Sequence, residues 1–292
     1  MFKGSMVALI TPMRADGSLD EKAFAEFVEW QIGEGSNGLV PCGTTGEVAT
    51  LSEDEHRHVI ATVVEVAKGR VPVIAGAGTY DTAASIERAR TAADVGADAV
   101  LVVVPYYNKP SQAGLAAHFT AIADASSLPI VVYNVPSRTV ADISVETLAE
   151  IARHPKIVSV KDATGNLGRV SAQRLACSED FIQLSGNDDM ALGFNAMGGV
   201  GCISVTANVA PKLCSDFQKA TREGRWDEAL KLQDRLYPLH AALFTDASPA
   251  PTKYALSRIK NDFPRELRLP LVEASDASKR AVDAALEHAG LV

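Results

Sequence analysis

Long hydrophobic runs are missing from this 292-residue chain. The apolar stretch Met6–Thr11 is too short for a signal-peptide core or a membrane span, and no basic segment precedes it. A cytoplasmic protein with no membrane partner is expected. An excess of basic residues is also missing. Lys and Arg number 28 against 36 Asp and Glu, for a net charge of −8, which argues against nucleic acid or an anionic membrane surface as partner. An anionic small substrate stays open, because it needs only local positive charge. Cysteine is scarce. Cys42, Cys177, Cys202 and Cys214 form no CxxC pair, so a zinc site is not expected and free thiols are. Low-complexity segments and long linkers are absent as well.

What the chain does have is alternation. Hydrophobic residues make up 47% and charged residues 22%, a globular composition. Short apolar runs recur at Met6–Ile10, Gly38–Pro41, Val71–Ala75, Ala99–Val104, Ile130–Tyr133, Ile157–Val160, Phe181–Leu184 and Val200–Val205. Their starts lie roughly 20 to 35 residues apart, the size of a βα unit. The segments between them read as helices: 19–34, 82–95, 111–125, 144–154, 167–176 and 188–197, with a capping box at Ser52–Glu55 opening another. Eight strand–helix units in series predict an α/β chain folded as a (β/α)8 TIM barrel. The competing open, doubly wound sheet usually carries a glycine-rich phosphate loop after its first strand, where this chain has Thr11-Pro12-Met13. After about Arg225 the strand signal stops, and 225–244, 249–261 and 276–288 read as three helices. The expected organisation is a barrel over 1–224 with a C-terminal three-helix extension over 225–292.

Active groups of such barrels gather at the C-terminal ends of the strands. Those ends carry Gly43-Thr44-Thr45-Gly46-Glu47, Pro105-Tyr106-Tyr107-Asn108, Tyr133-Asn134-Val135-Pro136-Ser137-Arg138-Thr139, Lys161, and Ser185-Gly186-Asn187; the eighth strand contains Ile203. Hydroxyls, one lysine and one arginine thus converge on one rim. The six histidines, at 56, 58, 118, 154, 240 and 288, fall in helices or helix ends, so neither a histidine metal site nor a Ser-His-Asp arrangement is expected there. Lys161 closes the apolar run Ile157-Val158-Ser159-Val160. Taken alone it could snorkel to solvent or pair with Asp162. A buried lysine that is partly neutral can instead attack a ketone and form a Schiff base. Each neighbour likewise has a plain reading: a turn at Gly43–Gly46, a core tyrosine at Tyr133, a loop surface charge at Arg138.

Together, the motifs at 43–47, 133–139 and 160–162 resemble the pyruvate-dependent class I aldolase superfamily and, within it, the dihydrodipicolinate synthase family. The likeness spans essentially the whole chain. It implies Schiff-base condensation of pyruvate with L-aspartate 4-semialdehyde, a lyase step toward diaminopimelate and lysine, with no cofactor or metal. Lys161 would carry the Schiff base, and Tyr133 would relay protons through Thr44 to Tyr107, the last reaching in from a neighbouring subunit. Thr45 would hold the pyruvate carboxylate and Arg138 that of the semialdehyde, while Gly186 and Ile203 would offer backbone carbonyls. The likeness also implies a homotetramer built as a dimer of dimers. A sister 2-keto-acid aldolase using the same lysine is the alternative; Arg138 argues against it. A catalytically silent barrel kept as a binding protein is a third reading. Feedback-sensitive relatives bind lysine with Ser, His, Asn and Glu at positions where this chain has Val48, Glu53, Tyr80 and Ala84, although Ala49, His56 and Tyr106 match. Weak or no inhibition by lysine is therefore expected.

Overall fold

Runs rich in Val and Ile extend readily, and here they form eight parallel strands: β1 Gly4–Ala8, β2 Gly38–Val40, β3 Ile74–Gly76, β4 Ala99–Val103, β5 Ile130–Asn134, β6 Ile157–Asp162, β7 Ile182–Ser185 and β8 Gly201–Ser204. The computed structural model describes residues 2–261 and 263–292. Pairing runs β2-β1-β8-β7-β6-β5-β4-β3. A parallel bridge from Leu39 to Val73 joins β2 to the residue before β3 and closes the barrel.

Every strand expected from the sequence is present, with ends shifted by a few residues. The helices are α1 Glu21–Gly33, α2 Glu53–Ala67, α3 Thr82–Asp94, α4 Gln112–Ala125, α5 Pro136–Thr139, α6 Val145–Ile151, α7 Gly168–Ala176, α8 Ala191–Ala196, α9 Pro211–Arg222, α10 Trp226–Ala242, α11 Ala250–Ile259 and α12 Asp276–Ala289. Two of these escape the sequence reading. α9 is strongly amphipathic, with Cys214, Phe217, Ala220 and Thr221 buried, and it opens on Pro211 with no side-chain N-cap. α5 is a single turn, so Arg138 sits in a short helix and not in a loop.

The capping box forms as expected. Ser52 Oγ accepts from Glu55 N and Glu55 Oε2 accepts from Ser52 N, a cap that contributes about 1 kcal/mol. Side chains alternate between two apolar layers. Met6, Ala8, Val40, Ile74, Ala99, Leu101, Val131, Tyr133 and Ile203 fill the barrel interior. Val7, Leu39, Val100, Val102, Ile130, Val132 and Val160 face the helices.

One irregularity decides which way the end of β6 faces. Ile130 pairs with Ile157, but Val131 pairs with Ser159, so β6 carries one extra residue there. Val158 packs against the interior layer and Val160 against the outer one. Beyond the bulge, Tyr133 stands opposite Lys161.

In the C-terminal extension, α10 packs against α9 and α12, and α11 against α12. The segment after α11 returns to the barrel. There Arg268 reaches the α2 entrance, bonding Glu55 Oε1 and Oε2 at 2.5 and 2.7 Å and the carbonyls of Gly17 and Thr50. The Arg268 guanidinium holds the Glu55 carboxyl at about 2, well under its ordinary 4.5. A depressed carboxylate stabilises the fold above its unfolded-state pKa, and the contribution disappears as pH falls from 4.5 toward 2. Glu55→Gln should therefore lower the urea midpoint at neutral pH, and the gap from wild type should close by pH 2. Urea titrations across that range check it; a gap independent of pH contradicts the assignment.

Candidate active site

The carboxyl ends of β2, β5, β6 and β7 surround a cavity of about 480 Å³ lined by Thr44, Thr45, Tyr133, Arg138, Lys161, Gly186 and Asn187. Each is delivered by local structure. Thr44 and Thr45 begin a 3-10 turn that follows β2 after Pro41-Cys42-Gly43 and is ended by Glu47 in the left-handed region at φ 56°. Tyr133 is the penultimate residue of β5 and is buried. Pro136 starts α5 and, with its fixed φ, projects Arg138 to the exposed mouth.

Lys161 is 6% exposed. Its ammonium sits 4.2 Å from the centroid of the Tyr133 ring, a contact with the negative face of the π system. Pairing with Asp162 does not occur. The Asp162 carboxylate accepts from Thr164 N and Oγ1, Arg169 Nε and Gln173 Nε2 at 2.6 to 3.1 Å. Arg169 is itself held by the Ile143 carbonyl, 2.8 Å away. The solvent-snorkelling reading of Lys161 also fails, since the side chain is buried in the cavity wall.

Two residues named from the sequence are not among those lining the cavity within one chain. The Ile203 side chain is fully buried in the barrel interior. Tyr107 is 96% exposed, at φ 65°, and lines no part of the cavity within one chain.

The sequence reading also missed a whole wall. Asp188, Asp189, Val205, His240, Ala241, Phe244 and Ser248 complete the cavity. His240 corrects the expectation that no histidine reaches this rim; it comes from α10 in the extension. Its Nδ1 lies 2.8 Å from Thr206 Oγ1, and burial pushes its imidazole down from the ordinary range against the opposing pull of Asp188. Asp188 is buried and accepts from Ser204 Oγ, Val205 N and Thr206 N at 2.5 to 3.2 Å. The adjacent acidic pair after Gly186-Asn187 was the only available signal, and nothing in it announced a cavity position.

A buried lysine with no carboxylate partner among the described residues, facing a tyrosine and a mouth arginine at the carboxyl rim of a (β/α)8 barrel, is the constellation of an aldolase-type lyase working through a lysine Schiff base. The comparisons narrow this class. The chain belongs to the dihydrodipicolinate synthetase family, whose model matches residues 1–289. It is 64% identical to the 4-hydroxy-tetrahydrodipicolinate synthase of Zymomonas mobilis and 63% identical to that of Rhizorhabdus wittichii, covering 100% of both chains in each case. Among solved structures it matches the chloride-inhibited dihydrodipicolinate synthase of Acinetobacter baumannii complexed with pyruvate, at a TM-score of 0.97 and 41% identity over 100% of both chains.

Gly186 is the tightest point of the lysine pocket. A Cβ there would lie 2.7 Å from Ala163 Cβ and 3.2 Å from Lys161 Cε. Gly186→Ala should cost roughly 1–3 kcal/mol through overpacking and displace the lysine. The expected outcome is a folded protein by circular dichroism with strongly reduced covalent trapping of a keto acid at Lys161. Undiminished trapping would show that the pocket gives way elsewhere.

Proposed function

We propose that this chain is a 4-hydroxy-tetrahydrodipicolinate synthase, condensing pyruvate with L-aspartate 4-semialdehyde. The observation that carries the reading is Lys161, buried and, among the described residues, without a carboxylate partner, 4.2 Å over the Tyr133 ring. Its neutral amine attacks C2 of pyruvate, water leaves, and an imine forms. Loss of a methyl proton from C3 gives an enamine, the imine nitrogen acting as electron sink. The enamine carbon attacks the aldehyde of the semialdehyde. The amine of that substrate then attacks C2 and expels Lys161, closing the ring and freeing the enzyme.

Tyr133 is the acid/base, within the same wall as Thr44. Thr45, buried beside it, takes the pyruvate carboxylate. Arg138 at the open mouth takes the second carboxylate, its planar fork matching two oxygens. Arg138 also favours this reading over a sister aldolase whose aldehyde carries no carboxylate. Gly186 and Ile203 offer backbone carbonyls.

Tyr107 completes the proton relay from a second copy of the chain, in a homotetramer assembled as a dimer of dimers. Its 96% exposure and the 86% exposure of Leu175 suit surfaces that such an assembly would cover. Among the described residues no helix is long and apolar enough to cross a membrane. Free cysteines, three of them buried, suit the reducing cytoplasm.

Borohydride added with pyruvate should leave one reduced pyruvate on the peptide bearing Lys161, and none in Lys161→Ala. A full-length protein with no adduct, or with the adduct on another lysine, overturns the reading. Formation of product from pyruvate plus the semialdehyde, against none with uncharged aldehydes, separates it from the sister aldolases.

Weak response to lysine belongs to the same reading. The Glu53 carboxylate is taken by Arg88 at 2.6 Å, and Ala84 has no polar group to offer. Activity should persist at lysine concentrations far above the micromolar range; half-inhibition at low micromolar lysine contradicts this.

A further inference from the structure

Glu47 and Lys253 form an ion pair that the proposed chemistry does not use. The Lys253 side chain is 0% exposed and that of Glu47 1%, with Nζ 2.6 Å from Oε1. Nζ also donates to the Glu266 carbonyl at 2.6 Å. The second Glu47 oxygen accepts from Arg268 N at 3.3 Å. Lys253 lies on α11, and Glu266 and Arg268 on the segment after it. The extension therefore grips one residue of the β2–α2 connection from two of its own positions, Lys253 and Arg268, with Glu266 anchoring the lysine.

That residue is the hinge of the turn bearing Thr44 and Thr45. Glu47 holds a left-handed backbone that a side chain-bearing residue adopts only at a cost. Its N–H donates to the Thr44 carbonyl at 3.1 Å, and its carbonyl accepts from Thr50 N at 3.0 Å. One residue earlier, the Gly46 carbonyl accepts from Thr11 Oγ1 at 2.7 Å. Moving Glu47 thus moves both cavity threonines.

Stability does not account for the pair. Stripping water from two charges costs about what their attraction returns, and an apolar pair of similar volume often does as well or better. What an apolar pair lacks is direction, since it does not specify where the Glu47 carboxylate must sit.

We infer that Glu47 and Lys253 are positioning residues: through them the C-terminal extension sets the Thr44–Thr45 turn in the place that receives the pyruvate carboxylate. The inference rests on the proposed function. It makes residues beyond 250 part of pyruvate recognition although they touch no pyruvate.

The test compares wild type with the double variant Glu47→Met/Lys253→Met, in which both charges are removed together. The thermal midpoint should stay within a few degrees of wild type, and saturating pyruvate with borohydride should still label Lys161 fully. KM for pyruvate should rise about tenfold, as expected of a displaced binding group, while KM for the semialdehyde stays within about twofold. Glu47→Gln, nearly isosteric, should raise KM for pyruvate in the same direction, and it decides the matter if the double variant does not fold. Unchanged KM for pyruvate in a folded variant, or an equal rise for both substrates, overturns the inference and leaves the proposed function intact. A wild-type chain that forms no pyruvate adduct overturns both.

Discussion

At the end of β6 two charged neighbours meet opposite fates, and the site depends on the difference. The Asp162 carboxylate is saturated by Thr164, Arg169 and Gln173 on the helix side of the sheet. Lys161 faces the other way, into the barrel mouth, where its ammonium lies over the face of Tyr133. An acid one residue away would ordinarily hold the ammonium as an ion pair and deny it to a ketone. Alternation along the strand separates the two, and Arg169 makes the separation permanent by supplying the carboxylate with a counter-charge of its own.

The remaining walls are set by where the chain must return. Strands deliver Tyr133 and Lys161 with little freedom, because parallel neighbours fix their heights through paired backbone groups. The threonines and Arg138 stand on short turns outside the sheet, which have no ladder to hold them. The threonine turn is secured by contacts from afar, that of Arg138 by its own local hydrogen bonds. The cavity wall of His240, Phe244 and Ser248 and the clamp through Lys253 and Arg268 all come from the extension. α10, α11 and the segments that follow them are thus built into the site, while α12 packs on both helices.

Much of the fold is legible in the sequence for a plain reason. A strand buried on both faces must be apolar throughout, so β4 and β5 stand out as Ala99–Val103 and Ile130–Asn134. Helices announce themselves where caps are chemical, as at Ser52 and Glu55. The failures have equally physical causes. α5 is too short for any period to show. His240 belongs to a helix whose pattern reports only that one face is buried, not that part of that face borders a cavity. Asp188 resembles any acidic turn residue until Ser204 and the backbone of Val205 and Thr206 are folded against it. Lys161 stands out because a charge closing an apolar run is unusual, but alone it leaves snorkelling open, and its proposed role comes from the resemblance of the motifs around it.

The extra residue in β6 gives the lysine its address. With uninterrupted pairing from Ile130 and Ile157, the residue opposite Tyr133 would be Val160, and Lys161 would turn outward among the helices. Residue 158 or its neighbour therefore carries information that no side chain expresses. Substitutions along Ile157–Ser159 can drift among apolar and small residues while the reactive amine stays in place, whereas one added residue carried past the same bulge would set Val160 opposite Tyr133 and turn the amine outward. In this barrel, catalysis is written in the parity of a strand, a count to which substitutions are blind and insertions are not.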